Sequence, residues 1–301
     1  MDLFFIFDKL IFSIDKLKTG TMKTVFAKVG FIFAAFLVVA YLFTGCTGKT
    51  PKGQDAQEKR TVTGEFTESK DEVLKEISDY PLPTSFEVTR LLIEAGAGYI
   101  LDLCNKTDNV TKYISLRSKA LNLGIYGADL SYAATYNQTQ ETMQFLEASS
   151  TLIDELQIST AFNQTLVDRV EANIDNVDSL ISIISDSFYD SYKYLQENNQ
   201  DKISLLVLAG SWIEALYITT QITMVTQGTN QKIVDIISDQ KASLSKLLEV
   251  MEPVKEDQII KDVYTSLAGI MTLYDNANDP FNQKDLESVL KATEVLRNNI
   301  I

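Results

Sequence analysis

Residues 176–197 read NVDSLISIISDSFYDSYKYLQE, and their pattern decides the fold. Apolar side chains recur in this stretch every three or four residues, with Asp and Ser at many of the positions between them. That spacing matches the 3.6-residue turn of an α-helix and puts the apolar side chains on one face. Similar stripes begin at Ile233, Ile260 and Leu286, and no segment alternates apolar and polar residues over the length of a strand. The sequence therefore predicts an all-α domain of roughly eight helices, built as an antiparallel bundle of helical hairpins.

Short polar segments mark where the predicted helices end. Ser85 is expected to cap a first helix whose apolar face includes Val88, Leu92 and Leu103. Gly, Pro and Asn favour turns over helix interiors, so they place most of the later breaks. The expected breaks are residues 105–109, Asn137, residues 158–159, residues 198–200, residues 228–230, Pro253 and residues 278–280.

Two segments, residues 113–136 and 203–225, are apolar on every side. The second is long enough to cross a bilayer, so a transmembrane helix is one interpretation. Glu214 lies in its middle, however, and a charged side chain at the centre of a bilayer costs about 3 kcal/mol. A central helix covered by neighbouring helices has the same composition without that cost, and we favour this interpretation.

The same two segments resemble each other. Residues 123–130, LGIYGADL, align with residues 209–216, AGSWIEAL, and an amphipathic helix follows each. The pattern indicates two related hairpins, with an internal duplication as one explanation and the shared composition of buried helices as the other. Glycine disfavours helices and usually has a packing reason inside them. Close contact with other helices is therefore expected along Ala120, Gly124, Ala128 and Ser131, and at Gly96 and Gly98.

The amino-terminal part of the chain has the pattern of an export signal. Lys23 and Lys28 precede an uncharged apolar run at residues 29–43, which is short for a membrane span but typical of a signal peptide. Residues 42–46, LFTGC, resemble the lipobox of bacterial lipoproteins, in which a small residue precedes a cysteine that receives diacylglycerol before cleavage. The resemblance implies that Cys46 is the lipid-attachment site and that its acyl chains hold the protein to a membrane. An uncleaved anchor helix, which would also export the domain, is the alternative.

This interpretation divides the chain into four parts. Residues 1–21 precede a complete signal peptide and are interpreted as a start-site artefact or an extension, with Met22 as the true start. Residues 22–45 are the signal peptide, residues 46–82 a flexible polar tether, and residues 83–301 the helical domain. Thr47, Gly48 and Lys49 stand where some surface-exported lipoproteins carry acids. This favours the periplasmic face of the outer membrane, with the cell surface as the alternative.

Charge and composition exclude several functions. The 301 residues hold 27 Lys and Arg against 41 Asp and Glu, a net charge of −14. The part after Cys46 stands at −16, because residues 1–45 hold five of the lysines and three of the acids. Such an acidic domain repels phosphate backbones, so no nucleic-acid partner is predicted. The absence of histidine excludes Ser–His and Cys–His dyads and histidine-bearing zinc sites, and no cofactor, metal site or enzymatic activity is predicted.

Two acids inside the apolar segments are the candidate ligand-binding residues. Asp129 follows Tyr126 by about one helical turn, and Glu214 lies two residues after Trp212. One interpretation is a shared interior pocket, in which the two acids and the aromatic rings bind a cation or a polar ligand.

The competing interpretation of these acids is structural. Buried charges need partners, so each acid is expected to accept a hydrogen bond from a tyrosine or to pair with Arg117 or Lys119. Cys104 poses the same choice. Its apolar surroundings at residues 99–104 favour a thiol packed in the core, with a reactive thiol as the alternative.

Residues 118–132, SKALNLGIYGADLSY, are the most distinctive run of the chain. Together with the lipobox, they resemble uncharacterised all-helical lipoproteins of Bacteroidetes-type bacteria. This resemblance implies a lipid-anchored all-α protein of the cell envelope, and it implies no activity. The first hypothesis is therefore a non-enzymatic binding or scaffold module for an unknown envelope protein or small ligand. A small-ligand or metal-binding component with a pocket at the two acids is the second hypothesis, and a carboxylate-dependent envelope hydrolase is the third.

Overall fold

The computed structural model describes residues 85–159 and 165–301 of the chain. These residues form nine α-helices and two short 3₁₀ helices, without a β-strand among them. The α-helices are α1 (Ser85–Glu94), α2 (Leu116–Thr135), α3 (Thr139–Glu155), α4 (Thr165–Ala172), α5 (Val177–Glu197), α6 (Asp201–Val225), α7 (Gln231–Met251), α8 (Lys261–Asn276) and α9 (Gln283–Asn298), and the 3₁₀ helices are Thr107–Lys112 and Glu252–Val254. The predicted all-α class is confirmed. Cys46 and the predicted signal peptide and tether lie outside the described residues.

Helices α2 and α6 form the centre of the domain. Every residue of α2 from position 120 to position 135 is buried, and α6 is buried along most of its length. By length and composition, α6 is the one helix in the described ranges that qualifies as a candidate membrane span. However, 83% of its most apolar 18-residue window is buried inside the domain. This packing agrees with the favoured interpretation of residues 203–225 as a core helix covered by its neighbours.

Two glycines set the distance between α2 and α6. A Cβ atom on Gly124 would lie 2.0 Å from the carbonyl oxygen of Val207, and a Cβ atom on Gly210 would lie 2.0 Å from that of Leu121. Both distances are far below van der Waals contact, so a side chain at either position would force the two backbones apart. The close helix contact predicted at Gly124 is confirmed.

The two central helices run in the same direction. Leu121 and Gly124 of α2 meet Val207 and Gly210 of α6 in one region of close contact, and further along both helices Asp129 lies beside Glu214. The hairpins α2–α3 and α6–α7 have the predicted antiparallel arrangement, because their short loops reverse the chain, whereas the central pair α2 and α6, which belongs to two different hairpins, is parallel.

The order of the helices repeats around the central pair. α2 packs on α3 and α5, α6 packs on α7 and α9, and α4 contacts α5 as α8 contacts α9. The alignment of residues 123–130 with residues 209–216 makes Gly124 equivalent to Gly210 and Leu121 equivalent to Val207. The two glycine contacts, Gly124 with Val207 and Gly210 with Leu121, are therefore equivalent contacts seen from the two halves. The halves α2–α5 and α6–α9 are thus arranged alike, and an internal duplication stays a prediction about the cause.

The first helix is shorter than predicted. α1 ends at Glu94, and Gly96 adopts a left-handed backbone with φ +81°, so Leu103 does not share the face of α1. Glycine adopts this conformation at little cost, which makes it a common end to a helix. The prediction of close helix packing at Gly96 and Gly98 is wrong, since a Cβ built on either residue has no heavy atom within 4 Å apart from those of the adjoining residues.

The later helix ends fall where the sequence places them. Asn137 (φ +56°), Asn199 (φ +59°) and Gly228 (φ +66°) adopt left-handed backbones just after α2, α5 and α6. The break expected at residues 158–159 begins slightly earlier, with α3 ending at Glu155 and Gln157 in the left-handed region. Helix α9 begins with a capping box in which the side chains of Asn282 and Asp285 each accept a hydrogen bond from the other's backbone N–H.

Candidate buried carboxyl site

The two candidate acids lie together in the interior. Asp129 is on α2 and Glu214 is on α6, and the parallel packing of these helices places the two carboxyl groups within hydrogen-bonding reach of each other. Both side chains are fully buried, with 0% of their surface exposed. The structure thus brings together the two acids that the sequence singles out, and their role as a ligand site stays a prediction.

Arg297 of α9 forms a buried ion pair with Glu214. Its Nε atom lies 2.7 Å from Oε2 and its Nη2 atom lies 2.8 Å from Oε1, so the guanidinium donates two hydrogen bonds to one carboxylate. The guanidinium also stacks on the ring of Tyr217, at 4.0 Å from the ring centroid. Burial by itself would lower the pKa of Arg297, but the facing carboxylate of Glu214 outweighs this effect and raises that pKa. The guanidinium therefore stays charged.

The prediction that Arg117 or Lys119 pairs with one of the buried acids is wrong. Arg117 Nη1 pairs with Asp262 Oδ2 at 2.6 Å, and Lys119 Nζ pairs with Glu155 Oε2 at 3.0 Å. Both of these pairs are partly exposed and neither reaches the buried acids.

The burial of Arg297 could have been predicted from the sequence. This residue follows Val289 and Thr293 at intervals of four along α9, and all three are buried on one face of the helix. An arginine on the buried face of a helix requires a buried acid as its partner. The helical periodicity of the sequence therefore identifies Arg297 as a residue that needs a buried partner. Only the packing of α9 against α6 in the structure identifies that partner as Glu214.

Asp129 is less completely paired than Glu214. Its Oδ2 atom accepts a 3.1 Å hydrogen bond from the backbone N–H of Asn105, and the Cys104 thiol lies near this carboxyl. Its Oδ1 atom has no hydrogen-bond partner among the described residues. Burial first, and then the negative charge of Glu214, raise the pKa of Asp129 well above its ordinary value, and Arg297 offsets this only in part.

Cys104 is a partly buried free thiol beside Asp129. Burial first, and then the negative charge of Asp129, raise the pKa of this thiol well above its ordinary value. Because the thiolate is the reactive form of cysteine, this environment favours core packing over a reactive thiol.

A polar network holds the chain segment before α2 over the acids. Asn105 Nδ2 donates to the Tyr113 hydroxyl at 2.8 Å, and the Tyr126 hydroxyl donates to the carbonyl oxygen of Lys106 at 2.9 Å. Burial raises the pKa of Tyr126, which keeps this hydroxyl a neutral donor. Tyr126, one of the predicted ligand-binding residues, thus lies close to Asp129 and holds the neighbouring backbone.

Trp212 lies on another side of α6. It precedes Glu214 by two residues, which corresponds to about 200° of rotation around a helix. Its indole N–H is buried and finds no acceptor in the part of the chain that the structure describes. Of the four predicted binding residues, the structure therefore gathers Asp129, Glu214 and Tyr126 and leaves Trp212 apart.

One groove on the described surface lies away from these acids, and no metal-holding cluster forms around them among the described residues. A groove of about 480 Å³ between α3 and α4 is lined by Gln140, Met143, Gln144, Leu146, Glu147, Ser150, Val167 and Glu171, and by none of the four predicted residues. Within residues 85–159 and 165–301, no three Cys, Asp or Glu side chains gather so as to hold a metal ion.

Comparison of the chain with protein-family models, with curated proteins and with solved structures gives no match.

Proposed function

We propose that this protein is a lipid-anchored module of the cell envelope whose helical domain binds or scaffolds a partner without catalysing a reaction. Support for the anchor comes from residues 42–46 and from the basic and apolar segments that precede them. Two or three acyl chains hold a protein stably at a membrane, whereas one chain binds only marginally. As a flexible coil, a tether at residues 46–82 would span roughly 30 Å and let the domain reach partners away from the membrane surface.

The observation that carries the non-enzymatic part is the closed pair of Glu214 and Arg297. A catalytic acid or nucleophile has to reach its substrate, and both candidate carboxyl groups are fully buried. Glu214 uses both of its oxygen atoms to hold Arg297, which fastens α9 to α6. This occupation disfavours the two-carboxylate chemistry that glycoside hydrolases use.

A small-ligand or metal-binding site at Asp129 is the second candidate function. The observation in its favour is the Oδ1 atom, which is buried and has no hydrogen-bond partner among the described residues. Buried polar atoms are normally satisfied, so a cation or a polar molecule that binds this oxygen would satisfy it.

Native mass spectrometry of the full chain, extracted from its own membrane, separates the two candidates. A small molecule or metal that accompanies the wild-type chain, is lost from Asp129→Ala and Glu214→Ala, and is retained by Asp262→Ala would establish the second candidate. Asp262 is a suitable control because it is an exposed acid that also pairs with an arginine.

Crosslinking in intact cells tests the first candidate directly. We expect the wild-type chain to carry no small ligand and to crosslink reproducibly to one envelope protein through surface positions of residues 85–301. A chain that carries no ligand and crosslinks to no protein above the level of an unrelated lipoprotein would contradict the proposed binding role.

A further inference from the structure

The interior around Asp129 and Glu214 holds more acidic than basic groups. The two carboxyl groups lie within hydrogen-bonding reach of each other, and one guanidinium, that of Arg297, faces them. If all three groups were ionised, one negative charge would stand uncompensated in the core, where an unpaired charge is costly. One bound proton makes the cluster neutral.

The hydrogen bonds indicate that Asp129 donates the shared proton and Glu214 accepts it. Glu214 gives both of its oxygen atoms to Arg297, a geometry that stabilises the ionised carboxylate. Asp129 accepts from the Asn105 N–H through Oδ2, while its Oδ1 atom finds no donor in the described chain. A proton on Oδ1 turns an unsatisfied acceptor into a donor, and the carboxylate of Glu214 is the acceptor that lies beside the Asp129 carboxyl group.

We propose that Asp129 and Glu214 hold one proton between them at neutral pH, in a hydrogen bond that ties α2 to α6 beneath the segment formed by residues 95–105. Loss of this proton places two carboxylates side by side in the core. The segment at residues 95–105 then opens and admits water to Asp129. The domain is closed when protonated and loosens as the pH rises.

The segment at residues 95–105 is suited to this role by its contacts. It has no regular helix, and hydrogen bonds from Asn105 N–H to Asp129 and from Ile100 N–H to the Tyr132 hydroxyl, at 2.9 Å, hold it on α2. The first of these bonds ends on the titrating carboxyl itself. A change of charge at Asp129 therefore acts directly on the backbone that covers it.

The other titratable groups around Asp129 do not supply the compensating charge. Burial is the largest influence on each of them and raises its pKa, so each stays neutral near neutral pH. These groups are Tyr99 and Cys104 from the covering segment, Tyr113 from the chain before α2, Tyr126 from α2 and Tyr217 from α6. Arg297 of α9 is the charged group, and its guanidinium is bound to Glu214.

The sign of the pH effect follows from the direction of the shift. The pKa of folded Asp129 is raised above the value of about 3.9 expected for an unfolded aspartate, so the folded chain holds the proton more tightly. The stability that this proton contributes is complete below about pH 4 and is lost as the pH rises to the pKa of the folded state. Over that window, the equilibrium constant for unfolding rises by up to about tenfold per pH unit.

Infrared spectroscopy of the full chain at neutral pH observes the proton directly. Exposed carboxyl groups are ionised there, so we expect the carbonyl band of a protonated carboxyl in the wild-type spectrum and its loss in Asp129→Asn. The control variant Asp262→Asn removes an exposed acid and should keep the band. A wild-type spectrum without the band, or a band that survives in Asp129→Asn, would overturn the proposal, and the wild-type measurement stands even if the variant fails to fold.

Urea unfolding between about pH 5 and pH 9 tests the consequence, since this window lies above the ordinary aspartate pKa. Asparagine can donate the same hydrogen bond to Glu214 without titrating, so Asp129→Asn should lose the part of the pH dependence that Asp129 contributes. We expect the unfolding constant of the wild-type chain to rise with pH more steeply than that of Asp129→Asn, while Asp262→Asn follows the wild type. Parallel curves for the wild type and Asp129→Asn would show that no shared proton stabilises the fold.

Discussion

A single side chain near the end of the helical domain, Arg297, neutralises a carboxylate in the middle of that domain. Removing one partner of a buried ion pair leaves an uncompensated charge, at a cost of about 3–5 kcal/mol. We therefore expect Arg297→Met to lower the free energy of unfolding by about that amount, measured by urea denaturation of the full chain at neutral pH. Arg117→Met is the matched control, because side-chain exposures of 39% and 74% leave the pair of Arg117 and Asp262 in contact with solvent. It should cost less than about 1 kcal/mol.

Replacing both Arg297 and Glu214 distinguishes the contribution of their charges to stability from the contribution of their packing. Apolar side chains of similar volume replace a buried ion pair at little cost, so Arg297→Met combined with Glu214→Leu should recover much of the stability that Arg297→Met loses. Equal losses for Arg297→Met and Arg117→Met would show instead that solvent screens Glu214, and the interior would then be open rather than closed.

Among the helices, the central pair depends on two positions without a side chain. A methyl group at Gly124 or Gly210 would collide with a backbone carbonyl of the opposite helix, which cannot rotate away as a side chain can. We expect Gly124→Ala and Gly210→Ala each to lower the free energy of unfolding by about 1–3 kcal/mol or more. The control is Gly269→Ala in α8, where the added carbon has no heavy atom within 4 Å apart from those of its chain neighbours and of the backbone of its own helix. Alanine favours helices, so this change should stabilise the domain by up to about 1 kcal/mol.

Thermal or urea unfolding of the three variants in one buffer decides this prediction. If Gly124→Ala and Gly210→Ala are as stable as Gly269→Ala, the backbones of α2 and α6 are further apart than the structure places them. If only one of the two is destabilised, the reciprocal contact that relates the two halves does not hold.

Helix periodicity made most elements predictable, because each amphipathic helix shows its buried face in its own sequence. The end of α1 was not predictable in this way. Tyr99 and Leu103 continue the apolar spacing of α1, yet they belong to a non-helical segment that packs against Tyr132 and Tyr136. Apolar spacing predicts which residues are buried, but it does not predict whether their backbone is helical. In this segment the left-handed backbone of Gly96 ends the helix.

The candidate site was predictable only in part, for a related reason. Asp129 and Glu214 stood out as single acids in apolar helices, which is a local pattern. Their meeting depends on the parallel direction of α2 and α6, and Arg297 meets Glu214 across 83 positions of the chain. Neither the direction of packing between two helices nor a contact at that separation is recorded in the local spacing of residues.

For the whole molecule, the proposed lipid anchor would hold the acidic domain at a membrane even though an anionic membrane surface repels its negative charge. Metabolic labelling with a palmitate analogue should mark the wild-type chain, and Cys46→Ala should remove the label completely. Cys104→Ala is the matched control, since it deletes the other cysteine of the chain and should keep the label.

The mass of the mature chain distinguishes this anchor from an uncleaved helix. Cleavage before Cys46 removes residues 1–45, so the mature chain should begin with an acylated Cys46 and yield no peptide from the preceding residues. An unlabelled chain that retains residues 22–45 would establish the uncleaved anchor instead, and precursor peptides that begin at Met1 would refute Met22 as the start.

Because two or more acyl chains bind a bilayer through apolar contacts, the wild-type chain should also stay with the membrane fraction at high salt. Release by salt alone would point to a charge-mediated attachment, which a net charge of −16 after Cys46 makes difficult to reconcile with an anionic surface.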